Sequence, residues 1–97
     1  MEEKELWAVV SYEIFGQKAS AVTSRPISGA EARKLIDRGR IFVDFEDLGL
    51  DLSCTLLIVY EVIRTSTKEE AIEIAEKAND GNIPAFEAVV ALNEGGE

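Results

Sequence analysis

Four carboxylates, Asp44, Glu46, Asp47 and Asp51, fall within eight positions of the stretch FVDFEDLGLDLS (42–53). Carboxylates this dense can hold a divalent cation, share a proton as an acid–base pair, or face solvent from a strand. A calcium loop needs oxygen ligands at positions one, three and five, glycine at six and glutamate at twelve. Counted from Asp44, Glu46 and Gly49 fit, but Leu48 and Thr55 occupy positions five and twelve. Two ligand positions fail, so a calcium loop is excluded. Asp44 and Glu46 share one face of a strand, with Cα atoms about 6.5 Å apart by strand rise. That spacing suits paired acids and equally a half-solvated strand. Further along, Leu48, Leu50 and Leu52 alternate with Asp47, Asp51 and Ser53, which places the acids where alternation expects water. The stretch reads first as the wet side of a strand, with a cation site or a partner surface as alternatives.

Little else in the chain resembles catalytic machinery. It has no histidine, and Cys54 is its single cysteine. Without imidazole or a second thiol, neither a Ser-His-Asp nor a Cys-His mechanism can be assembled, nor a thiolate zinc cluster. Cys54 sits among Leu52, Leu56 and Ile58 with no basic neighbour, the setting of an inert small hydrophobe. Trp7 and Tyr12 are expected to pack rather than form a binding platform. No catalytic residue, metal or cofactor is assigned, and the protein is not expected to be an enzyme.

Charge points towards binding. The net charge of −9 is uneven: residues 1–40 hold six acids and seven bases (+1), residues 41–97 thirteen acids and three bases (−10). Nucleic acid and anionic membranes both require the opposite balance. A basic protein partner or a cation is favoured instead. Glu69, Glu73, Glu76 and Asp80 recur at offsets of four, seven and eleven, one stripe of a helix. The stripe reads as a solvated face, or more sharply as a docking stripe for a basic protein. Arg33, Lys34, Arg38 and Arg40 form a basic cluster without a glycine-rich phosphate loop. It complements helix ends and the chain's own acids, or pairs with the acidic patch of a second copy.

The elements that must carry these residues are legible from periodicity. LWAVVSYEIF (6–15) and AVTSRPI (21–27) read as strands, with Gly16 and QKAS as the turn between them. Ser28 and Glu31 form a capping box, Ala32, Leu35 and Ile36 keep helical spacing, and Gly39 is the stop. Strands follow at 40–46 and about 50–64. A second capping box, Thr67 with Glu70, opens a helix buried through Ala71, Ile74, Ala75 and Ala78 and closed by NDGN (79–82). IPAFEAVVAL (83–92) is the last strand. Residues 1–97 are thus expected to form a single α+β domain of order β-β-α-β-β-α-β, antiparallel sheet layers with two helices. The alternative is a ferredoxin-like βαββαβ arrangement with an extra N-terminal strand.

From Leu56 to Tyr60 both faces of the strand are apolar, as are Ala88 to Leu92. Helices on one side of a sheet leave the other uncovered, so Leu57, Val59 and Ile63 are expected at the interface of a homodimer. Apolar runs such as Leu56–Tyr60 fall far short of the about 20 residues that span a membrane. The acidic opening MEEKELW is unlike a signal peptide, so a cytoplasmic protein is expected.

In length, acidity, lack of histidine and the run TSTKEEAIEIAEKANDGN after a long apolar strand, the chain resembles a small acidic orphan protein family of hyperthermophilic archaea. The resemblance implies an α+β fold whose strands interlace between the subunits of an obligate homodimer. It implies no activity and no catalytic residues. The glutamate-rich composition fits a thermophile, whereas the labile NDGN turn does not.

Overall fold

A computed structural model describes residues 4–14, 16–44, 55–81 and 84–92. Strands β1 (Ala8–Ile14) and β2 (Gln17–Thr23) pair antiparallel, with Ile14 opposite Gln17 and Gly16 at φ 77° in the connection. That positive φ is cheap only for glycine. The residues QKAS belong to β2 rather than to a turn, because pairing along the whole of β1 outweighs their weak strand propensity.

Helix α1 (Gly29–Arg38) starts where the capping box places it. The Glu31 N–H donates to Ser28 Oγ at 3.1 Å, and Glu31 Oε1 accepts from the Ser28 N–H at 3.4 Å. The helix passes directly into β3 (Gly39–Val43), which pairs antiparallel with β4 (Thr55–Arg64). Helix α2 (Lys68–Ala78) is capped by Thr67 Oγ1, which accepts from the Glu70 N–H. Its second capping box is displaced by one residue: Glu70 Oε1 accepts from the Ser66 N–H, not from Thr67. Strand β5 (Glu87–Leu92) completes the set, and the element order is the expected one.

The sheet differs from the expected antiparallel layers. Its five strands close into a barrel in the cyclic order β1-β2-β5-β3-β4. Antiparallel neighbours alternate in direction, so a ring with an odd number of strands must contain a parallel pair. That pair is β2–β5, joined at only two positions, Val22 with Glu87 and Thr23 with Ala88. In the ferredoxin-like alternative β2 and β4 would be neighbours. Here β1 lies between them and pairs with both. Strands β4 and β5 run in the same direction, so the link between them must cross back along the barrel, and α2 does so over β2 and β1.

Two apolar clusters follow from strand alternation. Inside the barrel lie Ala8, Val10, Tyr12, Ala19, Ala21, Ile41, Val43, Leu57, Val59 and Ala88, with Ala32 and Leu35 of α1 in the same cluster. Outside, Val9 and Val22 face each other across β1–β2 and are sealed by Ala71 and Ala75 of α2. Ile72 and Ile74 flank that seal, while Ala78 is exposed. Gly39 caps α1 where the chain turns into β3: a Cβ there would lie 2.5 Å from Leu35 Cα and 2.9 Å from its carbonyl oxygen.

Candidate interaction surfaces

Asp44 is exposed just beyond β3. Glu46, Asp47 and Asp51 lie outside the described residues, as does Cys54. Among the described residues no group of three or more His, Cys, Asp or Glu side chains could hold a metal ion. No helix among them is long and apolar enough to cross a membrane.

Helix α2 presents Glu69, Glu73 and Glu76 to solvent, because Ala71 and Ala75 anchor its opposite side; Asp80, expected on the same stripe, is exposed in the turn beyond the Asn79 cap, where its φ of 55° has left the helix. Lys68 fastens the helix start, lying 5.2 Å from the Trp7 ring centroid and 3.1 Å from Glu87 Oε2. Trp7 therefore packs at the edge of the outer cluster instead of forming a platform. Tyr12 is fully buried in the barrel, and removal from water pushes its phenol up to about 12.

At the far end of α2 the turn does work that its sequence did not announce. Asn79 is buried; its Oδ1 accepts from the Ser20 N–H at 2.7 Å, and its Nδ2 donates to the Ser20 carbonyl at 2.9 Å. The Val22 and Ser24 N–H groups donate to carbonyls at Phe86 and Ala88. Ser20 is the next in that row, where β5 no longer reaches, and the Asn79 amide takes the place of the missing strand.

The basic cluster divides. Arg33 and Lys34 are exposed on α1, where with Ala30 and Asp37 they line an open depression. Arg40 lies instead on the outer face of β3, with its guanidinium 3.5 Å from the Gly39 carbonyl. Beside α1, Arg25 donates to both oxygens of Glu31 and holds that carboxyl below the usual carboxylate range.

The apolar surface is not where alternation was expected to put it. Leu57 and Val59 point into the barrel of their own chain, 8% and 1% exposed. Their neighbours Ile58 (63%) and Tyr60 (39%) face outward, as do Ile63 (41%) and Val89 (54%). The register shifts between Ser11 and Tyr12: Tyr12 opposes Val59 while Ser11 opposes Glu61. Tyr60 is the extra residue, and the bulge turns Ile63 to the outer side. Lys18 lies 5.3 Å from the Tyr60 ring centroid. Beside Ile58, across the β4–β3–β5 face, are Arg40, half-buried Phe42 and half-buried Ala91.

These features define a small α+β barrel with an acidic helical face and a sheet surface on which Ile58, Tyr60, Ile63 and Val89 are exposed. Compared with known protein families, curated proteins and solved structures, the chain matches none.

Proposed function

We propose that this is a non-enzymatic interaction protein that self-associates through the outer face of β3, β4 and β5. In this reading the acidic stripe of α2 remains free to engage a basic protein. The exposure of Ile58 on β4 and of Val89 on β5, on either side of β3 and its half-buried Phe42, carries the reading. Exposed apolar residues on one sheet face cost free energy in water that a second copy removes by covering them. The sheet closes on the strands of one chain, so the association proposed is a stacking of complete barrels.

The test is the mass in solution of the native chain and of Ile58→Lys. The native chain is expected to have the mass of two chains at micromolar concentration and the variant that of one. A native chain that stays single across the concentration range refutes the proposal. Capture of one basic protein at low salt, lost on Glu73→Lys/Glu76→Lys, would support the role of the α2 stripe; unchanged capture would remove it.

A further inference from the structure

We propose that the barrel is two half-shells, β1–β2–α2 and α1–β3–β4–β5, hinged along β1–β4 and latched at the β2–β5 seam, which opens without unfolding either half. The device is independent of the self-association above, because the outer face of β3–β5 lies within one half.

Helix packing draws the division. Helix α2 rests on β2 and β1, whereas α1 rests on β4, β5 and β3. Two seams join the halves. The β1–β4 ladder runs from Ala8 opposite Arg64 to Tyr12 opposite Val59 and carries the bulge at Tyr60, a feature at which sheets bend. The β2–β5 seam is the one parallel pair among the described strands, joined at two positions against four or more along each of the others. Parallel pairing is also slightly weaker per residue. Parting it leaves an open sheet of order β2-β1-β4-β3-β5 in which every antiparallel pair survives.

The seam is lined for release. On its two strands the inward apolar residues are Ala19, Ala21, Ala88 and half-buried Val90; on β3 and β4 they include Ile41, Val43, Leu57 and Val59. Separating methyl groups gives up less burial than separating branched side chains. Backbone bonds cross the seam from the Val22 and Ser24 N–H groups to the Phe86 and Ala88 carbonyls, both at 2.9 Å. On the surface Lys68 of α2 reaches Glu87 of β5 at 3.1 Å, a latch between the halves. Asn79 bonds Ser20, a residue of its own half, so that part of the β2 edge stays paired whether the seam is open or shut.

The experiment is native-state hydrogen exchange, read by NMR across low urea concentrations on the native chain and on Glu87→Lys. Glu87 is exposed, and thermal unfolding checks that the variant is folded. In the native chain the Val22 and Ser24 amides are expected to share one opening, at least about tenfold more populated than the opening that frees the amides bonded between β3 and β4. That opening grows with urea, because it bares the barrel lining, but less steeply than global unfolding does. The Ser20 amide stays with the slower class. Glu87→Lys sets like charges across the latch and should speed Val22 and Ser24 about threefold or more. Global stability falls by the same factor, since the latch is already broken in the open form. The proposal is overturned if Val22 and Ser24 exchange only with the β3–β4 amides, if their opening is insensitive to urea, if Ser20 joins them, or if the variant leaves their exchange unchanged.

Discussion

Replacing Asn79 by alanine removes both hydrogen bonds to the Ser20 backbone, which is itself buried. Each buried group left without a partner costs about 1–3 kcal/mol. The pair should therefore cost on the order of 2–6 kcal/mol, the low end applying if water enters the vacated space. For a domain of this size each kcal/mol lowers Tm by about 4–8 °C, so a fall of at least about 8 °C is expected. Asn79→Asp isolates the donor. It keeps an acceptor for the Ser20 N–H but sets a carboxylate against the Ser20 carbonyl. The charged form is disfavoured there, so the folded-state pKa of the new acid lies above its unfolded value of about 3.9. The folded state then holds the proton longer, and stability relative to the native chain rises as pH falls. Urea unfolding followed by circular dichroism at neutral and mildly acidic pH measures both effects. An alanine variant within about 0.5 kcal/mol of native, the ordinary range of surface changes, would refute the view that Asn79 stands in for a strand. So would an aspartate variant whose deficit does not shrink in acid.

Gly39→Ala forces a methyl onto the backbone of Leu35, and overpacking of this kind costs about 1–3 kcal/mol, read as a lower denaturation midpoint. Ser28→Ala removes the α1 cap and should cost about 1 kcal/mol, whereas Ser66→Ala should be near neutral because its backbone N–H makes the contact. The lowered Glu31 carboxyl, held chiefly by its hydrogen bonds from Arg25, gives a stability increment present above the ordinary carboxylate pKa and lost as pH falls through the lowered one; Arg25→Ala should flatten that acid limb. The Tyr12 phenol is raised to about 12, so the unfolded chain ionises first and stability should fall between about pH 10 and 12. Absorbance titration should show Tyr12 ionising only with unfolding, and early ionisation in the folded protein would contradict its burial.

Local signals in the chain proved the most legible. Ser28 with Glu31 marks the start of α1 because both partners lie within one turn, and Ala71 with Ala75 marks the buried side of α2 through simple periodicity. The element order followed from these. Barrel closure could not be read, since it depends on the contact of two residues of β2 with two of β5, more than sixty positions away. Which side of β4 faces inward was equally hidden. Leu57 and Val59 are chemically interchangeable with Ile58 and Tyr60 in an alternation argument, and the bulge at Tyr60 reverses the phase before Ile63. Asn79 sat in a turn motif whose usual meaning, a helix stop, concealed its reach to Ser20. Of the sharper site residues, Glu69, Glu73 and Glu76 are exposed on α2, whereas Asp80 falls in the turn past the helix end, which the offsets alone did not reveal. Asp44 is separated from them, on the barrel face that β3 presents.

The account turns on the outer face of β3–β5 meeting its own copy. Isotope-filtered NMR on a mixture of labelled and unlabelled chains reports contacts between molecules alone. Intermolecular signals from the Ile58 and Val89 methyls, and from the Phe42 ring, are the predicted result. Intermolecular signals confined to other surfaces, or none at concentrations where light scattering is done, would contradict it.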